Sequence, residues 1–211
     1  NMNSVEQSGE LELIKTTPGS FLGSCRYKLP EDLKDDVYPL LFKKFEEYSI
    51  GYFFYIGGND SMDTIKKLSN YAKEIGSDIC FMGVPKTIDN DLAETDHTPG
   101  YGSAAKYIAS AMKEIIRDAK TYSTDSVTVV EIMGRNAGWL TAATALSRSE
   151  DCTGPDLIYL PEVEFDYNDF VKRIEEIKKY QNTAIIAVSE GIKTADGLYV
   201  CEANKANTVE D

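Results

Sequence analysis

The chain has 211 residues, 42% of them hydrophobic and 27% charged, enough apolar material for a substantial core and the wrong composition for a disordered chain. With 35 Asp and Glu against 22 Lys and Arg, the formal net charge is −13. That excludes a nucleic-acid or anionic-membrane binder, which needs a basic patch, but a phosphorylated small molecule can bind where a few cations converge, with Lys86, Arg26 and Arg135 the candidates.

The opening "NMNSVEQSGE" is polar and unlike a signal peptide, and Asn1 ahead of Met2 reads as an expression scar or the result of a cut. "LELIKTTPGSFLGSCRYKL" gives short apolar pieces broken by Pro18, Gly19 and Gly23. "DDVYPLLFKKFEEY" predicts a helix, with Tyr38, Leu41, Phe42, Phe45 and Tyr48 on one face. "IGYFFYIGG" is an unbroken apolar run and predicts a strand buried on both faces. A helix over "SMDTIKKLSNYAKEIG" follows, with Ile65, Leu68, Ala72 and Ile75 facing inward and Gly76 as its stop. Then come strand "DICFMGV", helix "SAAKYIASAMKEIIRDAK", strand "SVTVVEI", helix "AGWLTAATALSR", strand "DLIYL", helix "YNDFVKRIEEIKKY" and strand "TAIIAVSE". The tail "CEANKANTVED" is polar and has no closing element.

This alternation of apolar strands and amphipathic helices predicts an α/β fold, a doubly wound, mostly parallel sheet with helices on both faces. No stretch approaches a membrane span. The four cysteines are scattered without a C-x-x-C pair and His97 is the lone histidine, so a zinc site is excluded and reduced thiols in the cytosol are the simple reading. Cys80 and Cys152 read as small core hydrophobes. His97 reads as a loop or packing histidine rather than a catalyst, and Trp139 as core rather than a ligand platform.

In such sheets ligands bind beyond the carboxyl ends of the strands, which selects four loops. "GGNDS" (Gly57 to Ser61) lets a backbone approach an anion at a helix N-terminus, and Asn59 and Asp60 could reach a magnesium ion through water. Alone, it reads as a capping turn, with Asp60 or Ser61 as N-cap. "PKTIDND" crowds Lys86, Thr87, Asp89 and Asp91 behind Pro85. A carboxylate to take a proton from an attacking hydroxyl and a lysine to neutralise a moving phosphoryl group suit phosphoryl transfer. An Asx-rich turn would leave Lys86 and Thr87 without a role. "MGRNAG" offers Arg135 for a bidentate grip on phosphate or as a surface arginine, evenly balanced. Glu190 in "SEG" could accept from a sugar hydroxyl or be a solvated loop charge. Arg26 and Lys28 in "GSCRYK", taken alone, read as a surface turn.

"GGNDS", "GVPKTIDNDL", "TPGYGSA", "EIMGRNAGWL" and "SEG", in that order and spacing, resemble the phosphofructokinases over most of the chain. The resemblance implies a Rossmann-like fold of the phosphofructokinase type, a phosphoryl-donor domain over 1–101 and a sugar-phosphate domain over 102–211. It implies a magnesium-dependent transfer to the 1-hydroxyl of fructose 6-phosphate by a cytoplasmic homo-oligomer. Asp89 matches the catalytic base, with Thr87 and Asp91 its neighbours on the substrate and metal–phosphate sides and Lys86 beside them. Met133, Gly134 and Arg135 match the loop that holds the sugar phosphate. Glu190 matches a sugar contact, and Arg26 an arginine near the transferred group. Gly58, Asn59, Asp60 and Ser61 fall in the donor loop.

ATP users in this family read G-G-D-G in that loop; diphosphate users carry an aspartate in place of the last glycine and a lysine before T-I-D-N-D. Asp60 and Lys86 therefore resemble the diphosphate type, with ATP as the alternative donor and Asp60 the weightier mark. Asn59 stands where the family has an aspartate, which weakens metal ligation there, and Ser126 stands about where shorter ATP users place an arginine that reaches a neighbouring subunit. The family's opening strand and closing segment find no counterpart here, so an incomplete site that binds without turnover is a further expectation.

Overall fold

The computed structural model describes residues 11–17, 19, 23 and 27–203. Arg26 and Cys25 lie outside the described residues. The chain forms two compact units, Asn1–Tyr55 with Asn59–Val84, and Ile56–Gly58 with Pro85–Asp211. The loop carrying Lys86 to Asp91 thus packs with the second unit.

In order come α1 (Leu11–Ile14), α2 (Val37–Glu47), β1 (Tyr52–Gly57), α3 (Asn59–Ile75) and β2 (Cys80–Pro85). β1 and β2 pair. The Cys80 N–H donates to the Gly51 carbonyl at 2.9 Å and the Lys86 N–H to the Gly57 carbonyl at 2.8 Å, the same offset at both ends, so the strands run parallel. The core of the first unit is aromatic. Tyr38, Phe42 and Phe45, spaced along one face of α2, meet Leu68 and Ala72 of α3, with Phe53 and Phe81 of the sheet packed against them. Gly76 takes φ +65° directly after α3, the left-handed stop its position predicts.

The expectation of two-sided burial for β1 is corrected: Tyr52, Phe54 and Ile56 are exposed. Period-2 alternation sends Phe53 to one face and its neighbours to the other, and α2 and α3 both contribute to the cluster on the Phe53 face. Cys80 is likewise exposed rather than core.

The second unit contains α4 (Tyr101–Ala119), β3 (Ser126–Ile132), the short α5 (Trp139–Ala142), β4 (Leu157–Tyr159), α6 (Tyr167–Lys178), β5 (Thr183–Ser189) and α7 (Val200–Ala203). Its sheet order is β3-β5-β4, every pairing parallel, with Ser126 level with Thr183 and Ile132 level with Ser189. Met112 and Ile116 of α4 pack on Ile185 and Ala187 with Cys152 and Ile158. Tyr159 alternates to the other face and meets Phe170 of α6 at 5.5 Å. Helices therefore cover both faces, and central β5 is buried almost throughout, as its uniform "TAIIAVS" predicts. Asp166 caps α6, accepting from the Asp169 N–H at 2.8 Å.

"AGWLTAATALSR" is not one helix. After Ala142 it tightens to a 3₁₀ segment over Ala143–Ser147. The Thr144 hydroxyl donates to the Thr141 carbonyl at 2.6 Å and the Ser147 hydroxyl to the Thr144 carbonyl at 2.7 Å, so side chains occupy acceptors an α-helix would use. Trp139 is 54% exposed, correcting its placement in the core; Leu140 and Thr141 take the buried positions. The tail carries one short element, α7, where none was predicted. Among the described residues no helix is long and apolar enough to cross a membrane.

Candidate active site

The loop after β2 is folded on itself by its own polar side chains. The Asp89 N–H donates to the Thr87 hydroxyl oxygen at 3.0 Å. Thr87 therefore does take part in the turn, correcting the view that the turn had no use for it. Asn90 sits at φ +58°, a conformation asparagine tolerates, with its side chain buried. Its Oδ1 accepts from the Thr98 N–H at 2.8 Å and its Nδ2 donates to the Asp96 carbonyl at 3.3 Å, closing the loop just ahead of α4. Asn90→Ala is expected to cost about 2 kcal/mol, from two lost hydrogen bonds and a strained backbone, read by urea denaturation. Asn90→Gly keeps the backbone and loses only the hydrogen bonds, so it should cost less.

That fold leaves Asp89 partly buried between charges. Burial pushes its carboxyl above the usual aspartate range, and the carboxylates of Asp91 and Glu190 push the same way; the Thr87 hydroxyl and the Arg135 guanidinium pull it back in part. Two further carboxylates, a hydroxyl and a guanidinium from three strand-end loops thus act on Asp89 within the second unit. The arrangement suits a group that must accept a proton beside an anion.

β3 and β5 end level with each other, so their loops leave the sheet side by side. The Glu190 N–H donates to the Ile132 carbonyl at 2.9 Å. The Gly134 N–H donates to Glu190 Oε1 at 3.1 Å. Buried Ser189 ties both loops, its hydroxyl donating to the Gly134 carbonyl at 2.7 Å and accepting from the Gly191 N–H at 3.0 Å. Gly134 has φ +118°, and a Cβ there would stand 2.6 Å from the Ala137 carbonyl oxygen. Glu162 Oε1 holds the far end of the loop, accepting from the Gly138 N–H at 2.7 Å. Met133 and Arg135 are left exposed on a loop fixed at both ends.

In the first unit Asn59, Asp60 and Ser61 lie inside the first turn of α3, so neither Asp60 nor Ser61 is the N-cap. Asp60 Oδ1 stands 3.2 Å from Lys28 Nζ. Gly58 and Lys86 belong to the second unit, and a Cβ at Gly58 would lie 3.9 Å from the Lys86 carbonyl oxygen. The Lys86 side chain is exposed. The Ser126 hydroxyl donates to Thr183 Oγ1 at 3.2 Å, a contact within the sheet. His97 is exposed and stacks on Tyr101, a loop histidine as predicted. An apolar cleft of about 360 Å³ lies along α4 and β3, lined by Ile88, Tyr107, Met112, Met133 and Leu140 among others; the Asp89 cluster does not line it.

Three residues that organise the site escaped the sequence reading: Asn90 as the pin of its loop, Ser189, and Glu162. An asparagine between two aspartates is a left-handed-turn signal. Nothing local marks the other two, whose partners are 55 and 24 residues away.

The profile of the family described as phosphofructokinase matches residues 1–211. The chain belongs to the phosphofructokinase family. It is 44% identical over 192 residues to the pyrophosphate–fructose 6-phosphate 1-phosphotransferase of Rhodospirillum rubrum, covering 91% of this chain and 46% of the relative. It is 40% identical over 206 residues to the enzyme of the same name from Xanthomonas campestris pv. campestris, covering 96% and 49%. The crystal structure of a pyrophosphate-dependent phosphofructokinase from Nitrosospira multiformis matches with TM-score 0.73 and 37% identity, over 95% of this chain and 51% of that one. The chain thus spans about half the length of the curated relatives it matches. The doubly wound α/β fold expected for a phosphofructokinase is the fold it has.

Proposed function

We propose that this chain carries the phosphoryl-transfer site of a diphosphate-dependent fructose 6-phosphate 1-phosphotransferase. The observation that carries the reading is the convergence of Asp89 with Thr87, Asp91, Arg135 and Glu190 at the ends of parallel strands. Asp89 is the base that takes the proton from the sugar 1-hydroxyl, its raised pKa bringing it closer to the working pH. Thr87 and Asp91 flank it on the substrate and metal–phosphate sides, and Lys86 and Arg26 offset the charge of the transferred group. Met133, Gly134 and Arg135 grip the sugar phosphate and Glu190 the sugar; Gly58, Asn59, Asp60 and Ser61 receive the donor. Residues 1–101 and 102–211 divide these tasks as donor and sugar-phosphate parts.

Family members generally use a divalent metal, and magnesium is the ion proposed here. Among the described residues no group of three or more His, Cys, Asp or Glu is placed to hold a metal. Asn59 offers a neutral amide, and Asp60 is engaged by Lys28. This donor set fits magnesium arriving on the diphosphate oxygens and touched by Asn59 through water, rather than a resident ion. Bound so, the ion would supply charge neutralisation on the phosphates.

The donor assignment rests on Asp60, whose side chain fills space that a nucleotide α-phosphate would need, and is supported by the names of the relatives. An ATP-dependent 6-phosphofructokinase is the second reading. A hybrid in which this chain replaces the matching stretch of the Rhodospirillum rubrum relative separates them. Asp60→Gly should raise its ATP-supported rate about tenfold or more relative to the diphosphate rate; an unchanged ratio would remove Asp60 from donor choice. A catalytically incomplete half that binds both substrates remains the reading for this chain alone. The whole protein is proposed to work in the cytoplasm as a homo-oligomer.

A further inference from the structure

The donor loop presents an electrostatic problem. Asp60 sits in the first turn of α3, where the helix dipole favours an anion, yet its carboxylate repels the anion that the proposed function brings there. The structure places a compensating charge beside it. Lys28 Nζ lies 3.2 Å from Asp60 Oδ1, and both side chains are about three-quarters exposed and so open to a ligand.

The segment that carries Lys28 is fixed from below. The Lys67 ammonium, its side chain only 8% exposed, donates to the Leu29 carbonyl at 3.0 Å and to Glu31 Oε1 at 2.6 Å. It also pairs with Asp63 Oδ2 at 2.7 Å, on the same helix as Asp60 and one turn further along. The buried Tyr38 hydroxyl donates to the Pro30 carbonyl at 2.6 Å. The two residues after Lys28 are therefore tied to α3 and α2 by two buried side chains. An exposed ion pair such as Lys28–Asp60 adds little to stability by itself, and the position of Lys28 is set instead by the buried core to which Leu29 and Tyr38 belong.

We propose that Lys28 is a specificity-determining residue for the diphosphate donor: held in place by Lys67, it cancels the charge of Asp60 while leaving the bulk of Asp60 to exclude a nucleotide. The inference rests on the donor reading above and assigns Lys28 a role that reading did not include.

The test is calorimetric titration of magnesium diphosphate, with magnesium ATP in parallel, into this chain and its variants. Lys28→Ala should weaken diphosphate binding about tenfold, by leaving Asp60 unpaired against the ligand. Lys28→Arg should restore it, which a merely structural defect would not allow. In the Asp60→Gly background, Lys28→Ala should cause no further loss, because there is no charge left to cancel. Unchanged affinity in Lys28→Ala overturns the inference. So does a second tenfold loss in the double variant, which would mean that Lys28 grips the phosphate itself. If the unaltered chain takes up ATP and not diphosphate, or neither, the donor reading fails and this inference with it. Diphosphate binding that is indifferent to Lys28 sinks the inference alone.

Discussion

Asp89→Asn should lower the rate of fructose 1,6-bisphosphate formation by about 10³-fold in the hybrid enzyme, the range expected when a positioned general base is lost. The substitution keeps the shape of the side chain and removes its ability to accept the proton. The sign of the accompanying stability change sets this apart from simple damage. Burial and the Asp91 and Glu190 carboxylates raise the Asp89 pKa in the folded state above its unfolded value. A group shifted upward stabilises the fold below the unfolded pKa and loses that contribution as pH rises through the folded pKa. At neutral pH Asp89 is therefore a repulsive charge, and Asp89→Asn should unfold at the same temperature or slightly higher while activity collapses. For the same reason the acid limb of the unaltered enzyme's pH–rate profile should lie above the ordinary aspartate range. A substantial loss of stability at pH 7, or activity within a few-fold of the parent, would remove Asp89 from the role of base.

Gly191→Ala is expected to damage the second unit more than any other single methyl group. A Cβ at Gly191 would overlap the Arg135 carbonyl, with the Arg135 Cα only 2.7 Å away. The obstacle is backbone, which no rotamer change relieves, and that backbone is the loop proposed to hold the sugar phosphate. Displacing it also strains the Ser189 hydroxyl contacts to Gly134 and Gly191. The expected cost is about 3 kcal/mol in urea denaturation, with a KM for fructose 6-phosphate raised at least about tenfold. Gly102→Ala is the matched control. It lies in α4 with nothing within 4 Å of the added carbon, so it should stabilise by about 0.5–1 kcal/mol and leave KM alone. Equal behaviour of the two variants would mean that the β3 and β5 loops are not interlocked as described.

The strand-end loops were legible in the sequence because a doubly wound sheet puts its chemistry at fixed topological positions, and apolar runs such as "SVTVVEI" and "TAIIAVS" mark where those positions fall. The clustering of polar groups in the loop after β2 was also legible, since Asp89 and Asp91 stand two residues apart in sequence and the Asp91 carboxylate acts on Asp89 in the fold. What stayed hidden was set by distant partners. Lys67 looks like one more surface lysine of an amphipathic helix, and its buried position depends on Leu29 and Glu31, 38 and 36 residues earlier. The exposure of β1, of whose large side chains only Phe53 is half-buried, could not be read from "YFFYIG", because a run apolar at every position looks the same whatever covers it. Trp139 was misplaced because hydrophobicity alone does not say which side of a four-residue helix faces the core, and Leu140 took that side.

The central claim, that these strand-end loops move a phosphoryl group from diphosphate to fructose 6-phosphate, meets its most direct test in one assay. Formation of fructose 1,6-bisphosphate would be followed with magnesium and fructose 6-phosphate in the hybrid enzyme, supplied with diphosphate or with ATP. The account predicts turnover with diphosphate, at least tenfold faster than with ATP, and its loss in Asp89→Asn. Turnover with ATP and none with diphosphate would contradict it.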